Sequence, residues 1–265
     1  MTLGGTHVLV TGSTSGIGES IAEHFLREGA DVVVTGRDEA RGKSVAKRLG
    51  SAASGRCVFI AADLATAEGP GALAAAAESR LGGIDILVNN AGSYKIDGTP
   101  ISAADFDEMM HLNVRGVHLL TTALVPGMAE RGSGVVVNIT SPVAYRGYPG
   151  MAAYAGTKAA LDMLTKCWAA EYGRSGIRVM ALSPGPVITP GVEEAVGTGV
   201  NVPQEVLTRT GLVVGRVATG LDISSAVVFL ARTDAAYIHG TTFHVDGGMN
   251  GVGSLWGADK DAPPE

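Results

Sequence analysis

Cysteine is scarce in this sequence, and its scarcity argues against two kinds of chemistry. The 265 residues include only Cys57 and Cys167, which lie far apart and match no metal-binding spacing. We therefore expect two buried or half-buried thiols, consistent with a reducing compartment, rather than a disulfide or a pair of metal ligands. The six histidines are scattered, so the sequence predicts no metal site.

Charge and long apolar runs are also sparse. Charged residues make up 17% of the chain, its net charge is -6, and no long block of lysine and arginine occurs. Nucleic-acid binding needs a concentrated positive surface, so we expect no such partner. No apolar run reaches the roughly 20 residues that cross a bilayer, and the first residues lack the basic and apolar segments of a signal peptide. We therefore expect no membrane association and a cytoplasmic location.

Two alternating patterns predict an α/β fold. Short runs rich in β-branched residues predict buried strands, and longer segments between them carry apolar residues at helical spacing. The predicted strands are His7–Thr11, Asp31–Thr35, Arg56–Ala61, Asp85–Asn89, Val135–Thr140, Arg178–Ser183 and Thr242–Val245. The predicted helices are one with Ile17, Ile21, Phe25 and Leu26 on its apolar face, and Glu39–Leu49, Glu68–Leu81, Asp105–Met128, Tyr154–Tyr172 and Asp222–Ala231. This order predicts a Rossmann-type, doubly wound parallel sheet with helices on both faces and ligands at the carboxyl ends of the strands.

The chain shows no internal repeat and no linker, so the sequence predicts a single domain over residues 1–257 and a flexible tail over residues 258–265. Within the domain, the segment 184–215 is long, rich in Gly, Pro and Thr, and only partly helical in pattern. Long loops in compact domains usually serve a function, so we interpret this segment as a substrate loop.

A glycine-rich loop lies between the first predicted strand and the first predicted helix. Gly12 permits a tight turn, Gly16 lets the backbone approach a ligand, and Gly18 lets the helix pack closely on the sheet. The free N–H groups and the positive end of the helix would then face a pyrophosphate. Since strand, loop and helix follow in the order that a dinucleotide site requires, we favour cofactor binding over a plain turn. The residues concerned are Gly12, Ser13, Thr14, Ser15, Gly16, Ile17 and Gly18.

Tyr154 and Lys158 are four residues apart, which places them one turn apart on one helix face. A free tyrosine, with a pKa of about 10, is a poor base at neutral pH, and a nearby lysine cation should lower that pKa. Taken alone, such a pair is more often an ordinary half-buried helix face. Ser141 changes this balance, because it ends a predicted strand 13 residues earlier and its hydroxyl can return to the tyrosine. The three side chains are therefore candidates for acid/base chemistry.

The spacing of the glycine loop, Gly-x-x-x-Gly-x-Gly, resembles that of the short-chain dehydrogenase/reductase family. Further motifs follow in the order that this family shows, namely Asn89-Asn90-Ala91-Gly92, Asn113, Ser141, Tyr154-Ala155-Gly156-Thr157-Lys158, Pro184-Gly185 and Val245-Asp246-Gly247-Gly248. The resemblance covers residues 5–250, and within the family the chain looks most similar in general to 3-oxoacyl reductases. It implies an oxidoreductase that interconverts a ketone and a secondary alcohol.

The resemblance also implies roles for individual residues. The residues that match the family's catalytic tetrad are Asn113, Ser141, Tyr154 and Lys158. Tyr154 would exchange a proton with the substrate oxygen while a nicotinamide moves a hydride, and Ser141 would hydrogen-bond that oxygen. Lys158 would hold the cofactor ribose, and Asn113 would position a water. Further implied cofactor contacts are Asp63, Leu64, Asn90, Ala91, Gly92, Pro184, Gly185, Val187 and Thr189, although Asp63 could equally cap the next helix.

The end of the second predicted strand bears on the choice of cofactor. NAD-preferring members of the family place an acid where this chain has Gly36, and Arg37 follows it. A guanidinium can bind a 2′-phosphate that an acid would repel, so we predict NADP(H). NAD(H) stays open, because Asp38 could turn inward and Ser15 stands where many NADP-preferring relatives carry a basic residue. Arg37 could also be a solvated loop charge.

The substrate pocket is predicted to contain Ser141, Tyr94, Val143, Tyr148 and Met151. These residues are mostly apolar, which favours a medium-sized, uncharged ketone or secondary alcohol. The family resemblance implies assembly as a homotetramer. Two alternatives stay open: an NAD-dependent alcohol or sugar dehydrogenase, and a nicotinamide-sensing protein without turnover, which the complete tetrad disfavours.

Overall fold

Seven strands of the described chain form one parallel sheet. The computed structural model describes residues 3–95, 101–189 and 212–251. Its strands are β1 (His7–Val10), β2 (Asp31–Gly36), β3 (Cys57–Ala61), β4 (Ile86–Asn89), β5 (Gly134–Ile139), β6 (Ile177–Pro184) and β7 (Thr242–Val245). Their order across the sheet is β3-β2-β1-β4-β5-β6-β7, and every neighbouring pair runs parallel. The predicted Rossmann-type sheet is therefore confirmed.

Helices alternate with the strands along the chain. In the described ranges they are α1 (Gly16–Arg27), α2 (Glu39–Ser51), α3 (Gly69–Leu81), α4 (Ala103–Met110), α5 (Val117–Arg131), α6 (Ala152–Tyr172) and α7 (Gly220–Ala231). The single helix predicted over Asp105–Met128 is wrong in one respect, because a π-helical turn, His111–Gly116, separates α4 from α5. A π-helical turn is closed by i→i+5 hydrogen bonds, and the apolar spacing of the sequence does not reveal the change from i→i+4.

Both faces of the sheet are covered by helices. Val8 and Val10 point into a core shared with α1, α2 and α7, whereas Leu9 between them points into a second core shared with α3, α5 and α6. All three side chains are fully buried. The strands are therefore apolar throughout rather than alternating, because neither face of the sheet meets water.

The strand order creates a crevice at the carboxyl ends of the central strands. Strands β1 and β4 are neighbours although β2 and β3 lie between them in the chain, so the connections leave β1 and β4 in opposite directions. In doubly wound sheets, ligands bind at the carboxyl ends of the strands beside this switch point.

The two cysteines differ in their exposure to solvent. Both cysteines are unpaired, and Cys57 is half-buried, but Cys167 is exposed on α6, contrary to the expectation. None of the helices in the described ranges is both long and apolar enough to cross a membrane. The greater part of the predicted substrate loop, residues 190–211, and the predicted tail, 258–265, lie outside the described residues.

Candidate active site

A cleft of about 280 Å³ opens at the carboxyl ends of β1, β2 and β4. We call it the nucleotide cleft. It is lined by the glycine-rich loop, the end of β2 and the segments after β3 and β4, through Gly12, Thr14, Ser15, Thr35, Gly36, Arg37, Arg41, Ala62, Asp63, Leu64, Asn90, Ala91, Gly92 and Leu112. Most of the residues predicted to bind the phosphates and the adenosine therefore lie around one cavity.

Two glycines of the loop have backbone conformations that side chains rarely adopt. The φ angle is +61° at Gly12 and +58° at Gly16. A Cβ at Gly12 would lie 2.9 Å from the Cα of Ala91, so the close approach of these backbones requires glycine. Helix α1 begins at Gly16, and Ser15 at its N-cap makes no side-chain cap hydrogen bond in the described structure. Because the Ser15 side chain leaves the first N–H groups of α1 uncapped, this loop fits a pyrophosphate.

Two other residues of the glycine-rich loop, Ser13 and Gly18, do not line the nucleotide cleft but hold the loop in place through hydrogen bonds and close packing. The Ser13 hydroxyl donates to the Val10 carbonyl at 2.6 Å and accepts from the Thr35 N–H at 2.9 Å. The Ser13 hydroxyl is therefore used between β1 and β2, and the predicted cofactor contact of Ser13 stays a prediction. A Cβ at Gly18 would overlap the side-chain amide of Asn90, so Gly18 serves close packing, as the sequence predicts.

The end of β2 has no room for an acidic side chain. A Cβ at Gly36 would lie 2.8 Å from Thr14 Oγ1. The next residue, Arg37, is exposed and lines the nucleotide cleft. Asp38 is the N-cap of α2 and accepts a hydrogen bond from the Arg41 N–H at 3.0 Å. Asp38 therefore does not turn inward, as the NAD alternative requires.

The segment after β3 forms another wall of the nucleotide cleft. The Asp63 carboxylate accepts a hydrogen bond from the Ala65 N–H at 3.0 Å and does not cap α3, which begins at Gly69. Leu64 beside it is buried. At the end of β2, Thr35 Oγ1 is buried and has no hydrogen-bond partner among the described residues. The cleft thus offers an unused hydroxyl to a ligand.

A second cleft, of about 430 Å³, adjoins the first and shares Asn90 and Gly92 with it. We call it the catalytic cleft. Its lining residues are Ile17, Asn90, Gly92, Ser93, Tyr94, Ile139, Thr140, Ser141, Pro142, Val143, Met151, Tyr154, Lys158, Pro184, Gly185, Pro186, Val187, Thr189 and Met249. They include three members of the predicted tetrad and the four cofactor contacts predicted at the end of β6 and just after it. Thr189 also reaches the glycine loop, since a Cβ at Gly16 would lie 3.3 Å from its Cγ2.

Tyr154 and Lys158 share one face of α6, as predicted, but exclusion of water is the main influence on the pKa values of both side chains. The Lys158 ammonium lies 5.7 Å from the centre of the Tyr154 ring and donates to the Ile139 carbonyl at 2.9 Å. Burial raises the pKa of Tyr154 to about 12, against the effect of a hydrogen bond with Ser141. Burial also lowers the pKa of Lys158 to about 8. The predicted lowering of the Tyr154 pKa is therefore wrong for this structure, because desolvation is the largest influence on this phenol.

Asn113 lies in the π-helical turn and is fully buried. Its side-chain amide accepts from the Ser93 N–H at 2.9 Å and donates to the Ser93 carbonyl at 2.8 Å and to Thr157 Oγ1 at 3.1 Å. A Cβ at Gly92 would lie 3.3 Å from Asn113 Oδ1 and 3.5 Å from Lys158 Nζ. The Asn113 side chain thus holds the loop after β4 beside Lys158. The placement of a water by Asn113 stays a prediction.

The predicted substrate residues are only partly brought together. Those that line the catalytic cleft are Ser141, Tyr94, Val143 and Met151. The ring of Tyr94 lies 5.9 Å from that of Tyr154, centre to centre. Tyr148 is not among the described residues that line this cleft. Its ring instead lies 5.7 Å from the Arg146 guanidinium in the same loop.

Sequence reasoning missed two lining residues that motifs or spacing could have indicated. Arg41 lies four residues after Arg37 in the first turn of α2, so it faces the same cleft. Met249 follows the motif that ends at Gly248. The Asp246 carboxylate accepts from the N–H groups of Gly248 and Asn250 at 3.0 Å each, and this tight turn directs Met249 to the catalytic cleft.

Comparison with known proteins agrees with this geometry. A family model described as enoyl-(acyl carrier protein) reductase matches residues 12–250. The 2-(S)-hydroxypropyl-CoM dehydrogenase 3 of Xanthobacter autotrophicus is 36% identical over 250 residues, covering 92% of this chain and 96% of that protein. A solved short-chain dehydrogenase/reductase family protein is 43% identical with a TM-score of 0.85, covering 95% and 100% of the two chains. L-sorbose reductase from Gluconobacter frateurii, solved with NADPH and L-sorbose, is 32% identical with a TM-score of 0.87, covering 95% and 99%.

Proposed function

Because the chain belongs to the short-chain dehydrogenase/reductase family, oxidoreductases that act on carbonyl and alcohol groups, we propose that it reduces a medium-sized, uncharged ketone with NADP(H). The observation that carries this proposal is the joining of two clefts. One has a glycine cradle and two arginines, and the other has a buried lysine beside a half-buried tyrosine and a half-buried serine. A dinucleotide that spans both would place its nicotinamide beside Tyr154.

The residues of the catalytic cleft divide the chemistry among them. A bound nicotinamide supplies the hydride in reduction and accepts it in oxidation. Ser141 and Tyr154 hydrogen-bond the carbonyl oxygen and so polarise the carbonyl group. Tyr154 gives its proton to that oxygen as negative charge develops there. Because its pKa is raised by burial, the phenol is fully protonated at neutral pH, as a proton donor must be.

Lys158 supports the tyrosine through its charge. With a pKa of about 8, it is mostly protonated at neutral pH, and within the described part of the chain it donates a hydrogen bond to the Ile139 carbonyl. An ammonium has three donors, so two remain for the cofactor ribose and for a water beside Asn113. The cation favours the tyrosinate that proton transfer leaves behind.

The described walls of the catalytic cleft favour an uncharged substrate. Among them, Lys158 is the one residue with a formal charge at neutral pH. The apolar wall is formed by Tyr94, Val143, Met151, Pro186 and Met249. Such a lining favours a ketone with an apolar substituent, because a charged group would lose its hydration there without a partner.

We also propose that the protein is a homotetramer. Support comes from apolar side chains exposed on neighbouring α7 and β7. Phe229 and Phe243 are 40% and 38% exposed, and their rings lie 6.4 Å apart. Light scattering of the purified protein tests the assembly, and a monomeric mass would contradict it.

The proposed reaction is tested by following NADPH consumption with a panel of ketones in wild type and in Tyr154→Phe. Loss of the proton donor should lower kcat by about 100-fold or more. NADPH binding, followed by its fluorescence, should stay close to that of wild type. Tyr237→Phe is a matched control, because Tyr237 is fully exposed. Wild-type turnover by Tyr154→Phe, or wild type that reduces no ketone, would contradict the proposal.

A further inference from the structure

Tyr145 fastens the loop that carries Ser141 to two neighbouring elements. Its hydroxyl donates to the Asp162 carboxylate on α6 and lies 2.9 Å from Thr242 Oγ1 on β7. The Thr242 hydroxyl donates to the same carboxylate oxygen. The other oxygen of Asp162 accepts from the Lys166 ammonium at 2.6 Å. This cluster lies outside the catalytic cleft, and the reaction proposed above does not use it.

The link from Tyr145 back to Ser141 is short and closed. A 3₁₀ turn, Pro142–Ala144, is the whole connection between them. The Ala144 N–H donates to the Ser141 carbonyl, and the Tyr145 N–H donates to the Pro142 carbonyl, each at 3.0 Å. A displacement of the Tyr145 ring is therefore transmitted to Ser141 through one rigid turn.

Asp162 connects the cluster to the catalytic cleft through α6. Tyr154, Lys158 and Asp162 follow one another at intervals of four residues on α6. They therefore lie along one stripe of the helix. The helix that presents the proton donor thus also presents the anchor for the serine loop.

We propose that Tyr145 and Asp162 are positioning residues for the reaction, which hold Ser141 at hydrogen-bond distance from Tyr154. The inference rests on the proposed function. The side chain of Asp162 is only 7% exposed, and a buried carboxylate is costly unless donors surround it. Its three donors come from the serine loop, from β7 and from α6, so they fix the relative places of these three elements.

Placement of Ser141 matters for two reasons. The hydrogen bond from Ser141 is the interaction that acts against burial and lowers the pKa of Tyr154. The same hydroxyl must also point to the substrate oxygen, and small displacements of catalytic groups have large effects on rate.

The first test compares Tyr145→Phe with Tyr237→Phe by steady-state kinetics. Tyr145→Phe removes the anchoring hydroxyl and keeps the ring, which packs edge-on against His244 at 5.1 Å. We expect kcat to fall about ten-fold, as a misplaced catalytic group predicts, with KM for NADPH unchanged. Tyr237→Phe should match wild type in both constants. A purely structural role would lower the active fraction, which a NADPH-binding titration measures separately.

A second pair of variants separates geometry from charge. Asp162→Asn keeps an oxygen that can accept from Tyr145, so it should retain most of the wild-type kcat. Asp162→Ala removes the acceptor and should reproduce the loss seen in Tyr145→Phe. Equal loss in both Asp162 variants would overturn the assignment, because charge rather than positioning would then be responsible.

Crystal structures provide a readout that does not depend on activity. In Tyr145→Phe the distance between the Ser141 and Tyr154 hydroxyl oxygens should exceed hydrogen-bond length, and in Tyr237→Phe it should not. An unchanged distance together with an unchanged kcat refutes the positioning role. If wild type reduces no ketone, the proposed function fails, while the hydroxyl distance still decides whether Tyr145 positions Ser141.

Discussion

The carboxylate of Asp38 lies 3.6 Å from the guanidinium of Arg41 and accepts a hydrogen bond from the backbone N–H of the same residue. As the N-cap of α2, Asp38 is held away from the nucleotide cleft. Two arginines therefore line that cleft, and the Asp38 carboxylate beside them is already used as a helix cap. This arrangement favours a 2′-phosphate over a 2′-hydroxyl.

Removing either arginine should weaken the binding of NADPH and not that of NADH. A charge-assisted hydrogen bond contributes about 1.5–3 kcal/mol, so we expect Arg37→Ala and Arg41→Ala each to weaken NADPH binding by about ten-fold or more. Titration of reduced-nicotinamide fluorescence measures both affinities. Lys43→Ala is the control, because it removes an exposed cation of α2 that pairs with Glu39 and lines no part of the cleft. If NADH binds as well as NADPH and neither arginine variant matters, the cofactor is NAD(H).

The close contact between Gly36 and Thr14 predicts that a substitution at Thr14 restores part of the NADPH affinity lost in Gly36→Ala. In Gly36→Ala the new Cβ would lie 2.8 Å from Thr14 Oγ1, so the glycine loop must shift. Such overpacking typically costs about 1–3 kcal/mol, and we expect NADPH affinity to fall about ten-fold. Thr14→Ala removes the two closest atoms, and the remaining Cβ stands 3.5 Å away. The double variant should therefore bind NADPH better than Gly36→Ala alone. Additive losses in the double-mutant cycle would rule out this contact as the cause.

The burial of Lys158 predicts that this lysine lowers the stability of the protein at neutral pH. Burial lowers its pKa from 10.5 to about 8, a shift worth about 3 kcal/mol. Lys158→Met removes this penalty and leaves the Ile139 carbonyl without its donor, at a cost of about 1 kcal/mol. We therefore expect Lys158→Met to be about 2 kcal/mol more stable than wild type at pH 7, and inactive.

The sign of the pH dependence follows from proton binding. Between pH 8 and 10.5 the unfolded chain holds the Lys158 proton and the folded chain has lost it, so wild-type stability rises with pH in this window. Relative to Lys158→Met, the penalty is complete below pH 8 and disappears above 10.5. Urea unfolding of both proteins at pH 7 and near pH 10 measures the difference. A constant difference across this range would show that Lys158 titrates normally.

Much of the site could be predicted because its residues stand at the ends of predictable strands. Runs of β-branched residues located the strands to within a few positions. A parallel, doubly wound sheet then brings the segments that follow the strands to the same end of the sheet. For this reason Gly12 and Ser141 could be assigned to one site from the strand pattern, whereas Asn90 and Pro184 were implied by the family resemblance.

What could not be predicted depends on burial and on local backbone geometry. The spacing of Tyr154 and Lys158 gives their proximity but not the exclusion of water that sets both pKa values. The π-helical turn around Asn113 breaks no apolar pattern that the sequence displays. Tyr148 was assigned to the substrate pocket by its place in the chain, but the loop directs it elsewhere.

Gly42 packs against Phe59, and this contact explains a glycine inside a helix that helix propensity alone would disfavour. Gly42 lies within α2, where replacement by alanine normally stabilises a helix by about 1 kcal/mol. Here a Cβ would overlap the Phe59 ring of the neighbouring strand β3. Because overpacking costs about 1–3 kcal/mol, we expect Gly42→Ala to lower the free energy of unfolding by about 1 kcal/mol. Gly71→Ala in α3 is the matched control, since nothing lies within 4 Å of its added Cβ, and it should be neutral or stabilising. Phe59→Leu should relieve the overlap, so Gly42→Ala should cost less in that background. Urea denaturation measures all four variants, and equal effects of the two glycine replacements would exclude the Phe59 contact as the reason for Gly42.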